Sequence, residues 1–362
     1  MKSRCILILF ISVLILTLAI PVYAQKNLKK VDITVGTYVI NITYPYLTLP
    51  NALGYWKDMG YDVTVQAAGS TMSTMAQLIA GNTDFVFVTS NAIIEANIRN
   101  NFPAKSVNQL AVLDWALAVP KGSDIKSVAD MKGKRLGMYS LSSGGIPLIK
   151  GYLLDHGVDP DKDVELIPVG FGPQASQAIK NDDVDAVMLW WGALFQLENI
   201  GHEFTYFVAD DWKMMPGVDI AVKADTIEKD RQMVVDIIKG MNMAIAFAEA
   251  NPQAAVRLQW KHHPQTKPAD VDDATAMQYD LNLLNGIFNY ALNPAFEAKG
   301  RRLRGLANGR EYSALQDWMY SNKMIEKKMP VENYYYTDQS YWEEINDFDI
   351  KKIQIESKNY ME

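Results

Sequence analysis

The chain predicts a two-lobed α/β fold, and three observations carry that expectation. A grammar of strand, glycine, helix, aspartate and strand occurs twice: Gly69 and Asp84, 15 residues apart, recur 101 residues later as Gly170 and Asp185. At the same offset Gly36 and Tyr38 recur as Gly137 and Tyr139. In each half, strand-type apolar runs alternate with helical spacing, the βαβ order of a parallel sheet. With 362 residues the chain is long enough for two domains of ordinary size. Two such halves face each other across a cleft, where small ligands settle in α/β architectures.

The N-terminus decides the compartment. Lys2 and Arg4 precede an apolar run from Cys5 to Ile20, and Pro21 leads into Val22-Tyr23-Ala24, the small-residue ending that a signal peptidase needs. Residues 1–24 are therefore expected to be a cleaved signal peptide and the mature protein to reside in the periplasm. A membrane anchor is the alternative, but the run is short of the ~20 residues needed to span a bilayer. Cys5, the single cysteine, lies at the front of the run and leaves with it. The remainder carries 33 basic and 42 acidic side chains, −9 with histidine neutral, which argues against nucleic acid as a partner. Without cysteine it has no disulfide framework, thiolate zinc site or cysteine nucleophile.

The elements follow in order. Val31 to Thr37 alternates as the first strand, Pro50 to Met59 carries Leu53 and Trp56 at helical spacing, and Tyr61 to Ala67 is strand again. Met72 to Ala80 is helical, Asp84 opens the strand Phe85 to Val88, and Asn91 to Arg99 closes the unit. An extended stretch, Leu110 to Val119, leads away from it. The second unit reads as strand Arg135 to Tyr139, helix Ile146 to His156, strand Val164 to Val169, helix Gln174 to Lys180 and strand Ala186 to Trp190. Val218 to Val222 reads as a strand returning to the first lobe. Ile227 to Glu249 is a long amphipathic helix, another starts at Pro252, and 270–362 adds helices with aromatic faces. Lobe one is expected at 30–115 plus 218–362 and lobe two at 116–217, joined by two crossing strands and no Gly/Ser or Pro-rich linker.

Reactive constellations are missing. His156, His202, His262 and His263 fit no HExxH-type spacing and read as surface residues. Ser142-Ser143-Gly144-Gly145 lacks the Lys-Ser/Thr of a phosphate loop, and Gly170-Phe171-Gly172 lacks the third glycine of a dinucleotide fingerprint. Asp182-Asp183 and Asp210-Asp211 read as solvated turns. No catalytic residue, metal or cofactor is assigned.

The candidate ligand contacts stand where strands end and helices begin: Thr37, Tyr38, Ser70, Thr71, Ser90 and Asn91 in lobe one, and Ser142, Ser143, Phe171, Trp190 and Trp191 in lobe two, with Trp115 between them. Free backbone N–H groups and small hydroxyls at helix starts suit an anion or polar group, yet each contributes only ~0.3 to 1 kcal/mol. Micromolar affinity needs about 8 kcal/mol. Aromatic contact must supply the rest, from Tyr38, Tyr44, Trp115, Phe171, Trp190, Trp191 and Trp212, so an organic ligand with an apolar or ring portion is expected. Ser70, Thr71, Ser90 and Ser143 serve equally well as plain N-caps. Strand alternation sends Trp190 and Trp191 to opposite sides, which leaves open which of them is core. Trp56, Trp260, Trp318 and Trp342 sit in helical patterns and read as packing residues.

Gly54-Tyr55-Trp56-Lys57-Asp58-Met59-Gly60-Tyr61-Asp62-Val63, then Gly69-Ser70-Thr71, then Gln77-Leu78-Ile79-Ala80-Gly81-Asn82-Thr83-Asp84-Phe85 resemble the first lobe of the sulfonate, nitrate, taurine and thiamine-precursor (hydroxymethylpyrimidine) binding proteins of ABC importers. Ser127 to Gly137, Val184-Asp185-Ala186-Val187 and Ala250-Asn251-Pro252-Gln253-Ala254-Ala255 continue the resemblance, which covers about 31–260. It implies a type II periplasmic binding protein fold that closes on a ligand by hinge bending and delivers it to a membrane permease, with no catalysis and as a monomer. The implied ligand is a small organic solute, aromatic or heteroaromatic, or a sulfonate or carboxylate. No arginine or lysine stands at the expected strand ends. An extracytoplasmic sensing module, and a thiamine-pathway pyrimidine enzyme of similar fold, remain alternatives; the enzyme reading lacks its cysteine-rich motif here.

Overall fold

Asp84 and Asp185 perform the same task in the two halves. In the computed structural model, which describes residues 27–292, 296–298 and 301–360, the Asp84 carboxylate accepts the backbone N–H of Asp32 at 2.9 Å. That of Asp185 accepts the N–H of Arg135 at 2.7 Å. Each carboxylate ties the start of its unit's third strand to the first, satisfying an N–H that the ladder leaves free. The glycines 15 residues earlier are explained too: Gly69 and Gly170 have φ of 79° and 66°, a region costly to residues with a Cβ.

Ten strands form two five-stranded sheets. The first contains β1 (Lys29–Val35), β2 (Tyr61–Ala67), β3 (Phe85–Thr89) and β4 (Ala104–Val112); the second contains β5 (Trp115–Pro120), β6 (Lys134–Met138), β7 (Val164–Pro168), β8 (Ala186–Trp190) and β9 (Phe204–Phe207). Strand β10 (Pro216–Lys223) returns to the first sheet. The orders β2-β1-β3-β10-β4 and β7-β6-β8-β5-β9 are one topology written twice: three parallel strands, a fourth antiparallel to them and a fifth antiparallel to the fourth. The chain passes between the sheets at 113–114 and at 208–215.

The ladders revise the repeat. Val35 pairs with Phe87 and Met138 with Met188, so Val35 and Met138 are counterparts, 103 residues apart rather than 101. Gly36 and Gly137, and likewise Tyr38 and Tyr139, are coincidences of spacing. The second unit is two residues shorter between its first and second strands, which restores the offset of 101 from there onward.

Helices α1 (Pro45–Ala52), α2 (Tyr55–Met59), α3 (Thr71–Ala80) and α4 (Ser90–Arg99) flank the first sheet's strands in sequence, and α5 (Gly145–Asp155), α6 (Pro173–Lys180) and α7 (Trp191–Asn199) those of the second. After β10 come α8 (Ala224–Lys229), α9 (Arg231–Ala250), α10 (Pro252–His262), α11 (Asp273–Gly286), a π-helical turn at Ile287–Ala291, α12 (Gly309–Ser321), α13 (Gln339–Glu344) and α14 (Ile350–Lys358). The expected helix from Pro50 to Met59 is broken by Gly54 at φ 77°. That from Ile227 to Glu249 is divided at Asp230, whose side chain accepts the Met233 N–H at 3.0 Å and starts α9. Trp56 is fully buried and donates its indole N–H to the Ile237 carbonyl at 2.9 Å. The C-terminal helices reach the second sheet's layer as well: Trp318 donates to Asp155 at 2.7 Å, and Asn199 to the Tyr279 carbonyl at 3.0 Å. The expected signal peptide lies outside the described residues.

Candidate ligand site between the lobes

Three threonines reach the junction from the first sheet because each follows or ends a parallel strand: Thr37 after β1, Thr71 at the start of α3 after β2, and Thr89 at the end of β3. The second sheet answers with Tyr139 after β6, Ser143 just before α5 and Trp190 at the end of β8. Together with Thr43, Tyr44, Tyr46, Phe87, Asp114 and Trp115 they enclose a cavity of about 690 Å³, its mouth included, which Ile287, Ala291 and Leu292 border from the turn after α11.

Direct contacts cross the junction. The Tyr139 hydroxyl accepts the backbone N–H of Tyr38 at 3.1 Å and donates to the Gly69 carbonyl at 3.0 Å. The Asn91 amide donates to the Gly144 carbonyl at 3.3 Å. The loop before α5 comes so close that a Cβ on Gly144 would lie 2.2 Å from Thr89 Oγ1 and 2.8 Å from Thr71 Oγ1. The lobes are shut against each other around the cavity.

The wall is aromatic, and its polar side-chain atoms are hydroxyls, the indole N–H groups of Trp115 and Trp190 and one carboxyl group, that of Asp114. Trp190 makes edge contacts with Trp115 at 5.8 Å and Tyr139 at 5.4 Å between centroids. Asp114 sits at the break between β4 and β5, 6% exposed, and its Oδ1 finds no hydrogen-bond partner. Burial pushes its pKa up to about 7. Burial likewise raises the Tyr44 phenol, and pushes that of Tyr139 up to about 12. Asp219, also buried, accepts the hydroxyls of Ser90 and Ser106 and is pushed up to about 6, again by burial. Among the described residues no Lys or Arg lines the cavity.

Thr37, Thr71, Trp115, Ser143 and Trp190, expected from the sequence, line this cavity. Tyr38, 67% exposed, and Phe171, packed on Tyr139 and Trp190, do not line it; both border a neighbouring groove that shares Tyr139 with the cavity. Others are turned to structural tasks. Trp191 packs on Phe195, Tyr206 and Tyr290, on the side away from Trp190. Ser70 caps α3 by accepting the Ser73 N–H at 3.2 Å, Ser90 is committed to Asp219, Asn91 holds Gly144, and Ser142 meets Ser140 at 3.4 Å. Trp212 is fully buried against Tyr152 and Trp318. Sequence reasoning passed over Asp114, Thr43, Tyr46 and Phe87. Asp114 did carry a signal, an acid in the middle of the apolar stretch Leu110 to Val119. Ile287, Ala291 and Leu292 carried none, because only tertiary packing brings them here.

Two lobes of identical strand order, closing on a cavity at their parallel strand ends, define the architecture of periplasmic binding proteins. The chain superposes with a TM-score of 0.68 on a protein of Bordetella bronchiseptica RB50 (17% identical, covering 88% of this chain and 97% of that one). On the periplasmic aliphatic sulphonate binding protein SsuA of Escherichia coli the TM-score is 0.60 (14% identical, 86% and 93%), and on the periplasmic nitrate-binding protein NrtA of Synechocystis PCC 6803 it is 0.58 (14% identical, 92% and 89%). Residues 45–255, more than half of the chain, match the model described as NMT1/THI5 like, and the chain belongs to that family. The inferred binding protein YtlA of Bacillus subtilis (strain 168) is 23% identical over 313 residues, 84% of this chain and 87% of that protein. The family resemblance seen in the motifs stands.

Proposed function

We propose that this protein is the exported solute-binding component of an ABC-type importer: a monomer that captures a small organic solute between its lobes and presents it to a membrane permease without changing it chemically. The observation that carries this reading is the cavity itself, walled by both lobes and sealed by the Tyr139, Tyr38 and Gly69 contacts. A guest held there touches both lobes, so its binding energy is coupled to closure, and the closed shape is what a permease reads. Cell fractionation of the full-length chain, with N-terminal sequencing of the mature product, tests export and cleavage after Ala24. Capture is tested by screening solutes for a raised melting temperature and altered tryptophan emission, since Trp115 and Trp190 line the cavity. A ligand at 100 times its Kd stabilises by about 2.7 kcal/mol. Release of a chemically altered product sinks the reading, as does failure to retain any solute from cell extract.

A further inference from the structure

The cavity wall narrows the solute, on the premise that the cavity is the capture site. Its unsatisfied polar atoms lean to acceptors. The buried side-chain atoms without a partner at the junction are Asp114 Oδ1, Asn91 Oδ1 and Thr89 Oγ1: a carboxylate, an amide carbonyl and a hydroxyl that accepts as readily as it donates. Asp114 and Thr89 line the cavity directly. An ionised carboxylate taken out of water needs a positive charge or strong donors beside it. The phenols that feel Asp114 are those of Tyr44, just before α1, and Tyr46, within it; Tyr139 in turn acts on Tyr44, and none of these supplies a positive charge.

Around the carboxylate stand the rings of Tyr44, Phe87, Trp115, Tyr139 and Trp190. Aromatic faces attract cations through their quadrupoles, most strongly where water is excluded. An anion entering here meets an acidic group and electron-rich rings, with no Lys or Arg among the described lining residues to balance its charge, whereas a cation draws the proton off Asp114 and pairs with the carboxylate. We propose that the cavity holds an organic cation bearing N–H donors, an amine or amidine whose N–H groups meet Asp114 and Thr89 while its apolar body lies among the rings.

Three probes that share one ring and differ in charge test this: benzamidinium, benzoate and benzenesulfonate, each titrated into the intact mature protein by calorimetry. Benzamidinium is expected to bind at least 100-fold more tightly than either anion. Asp114→Asn, checked for native circular dichroism, should lose at least tenfold in benzamidinium affinity, and Asp114→Glu should recover part of it. Benzoate or benzenesulfonate binding as tightly as benzamidinium overturns the inference, as does an Asp114→Asn protein that binds benzamidinium normally, or the failure of all three probes to bind. Retention of an anionic solute from cell extract would overturn the cation preference and leave solute capture standing; retention of no solute would defeat capture itself.

Discussion

The Tyr139 hydroxyl lies 3.1 Å from the backbone nitrogen of Tyr38, and the two rings pack at 5.7 Å between centroids, so a side chain of one lobe is latched to the main chain of the other. The same oxygen donates to the Gly69 carbonyl. Tyr139→Phe keeps the ring and its edge contact with Trp190 but deletes both hydrogen bonds. At a net ~0.5 to 1.5 kcal/mol each, their loss should speed ligand dissociation roughly fivefold to over a hundredfold. Stopped-flow release kinetics check this, and an unchanged off-rate would show that the latch does not hold the closed state.

Gly144 has φ −62°, which alanine adopts without strain, so only the opposite lobe forbids a side chain there. Its added Cβ would meet Thr89 Oγ1 at 2.2 Å and Thr71 Oγ1 at 2.8 Å. Gly144→Ala should therefore fold normally by circular dichroism and bind ligand at least tenfold more weakly, with a larger radius of gyration by X-ray scattering in the presence of ligand. Wild-type affinity in this variant would mean that the bound lobes do not approach so closely.

Trp190 and Trp191 are neighbours with opposite surroundings. Trp190→Ala opens the wall shared with Trp115, Tyr139 and Phe171 and should weaken binding tenfold or more. Trp191→Ala disturbs only the outer cluster with Phe195, Tyr206 and Tyr290 and should change affinity less than twofold. Calorimetry on the two variants gives the comparison, and equal losses would place both rings in the site.

Asp114 ties stability to pH in a defined direction. Burial raises its pKa from an ordinary 3.8 to about 7, so the folded protein keeps a proton that the unfolded chain has already released. The stability from that retained proton is complete below about pH 4 and disappears as pH rises to about 7. Tyr44, Tyr46 and Tyr139, the phenols around it, stay protonated over this window because burial raises each of them. In ligand-free protein Asp114→Asn should match the wild type in melting temperature at pH 4 and exceed it at pH 8. An equal difference at both pH values would show that the carboxyl is already satisfied.

Gly69, Asp84, Gly170 and Asp185 were legible in the sequence because each answers a local demand: a positive φ after the second strand, or a carboxylate for a free N–H on the first. Their spacing is therefore repeated. Gly36 and Gly137 answer no such shared demand, and their offset misled, since strand register depends on ladder pairing that spacing along one chain does not report. Trp190 and Trp191 show the same limit at finer scale: alternation says that they diverge, while only the neighbouring helix says which way is inward.

The doubled unit, the family, the aromatic, lysine-poor character of the strand ends and most of the strand and helix order followed from residue pattern, because hydrophobic period and turn chemistry act over a few residues; α7, β9 and the break of Leu110–Val119 into β4 and β5 did not. Tertiary structure alone decided that Asp114 Oδ1 is buried without a hydrogen-bond partner, that the turn Ile287–Ala291 borders one side of the cavity, and that the Ser90 hydroxyl donates to Asp219. Those outcomes depend on segments far apart along the chain: Asp114 and Leu292, 178 residues apart, border the same cavity. Burial and hydrogen-bond satisfaction are properties of the packed whole, which no local stretch of the chain encodes.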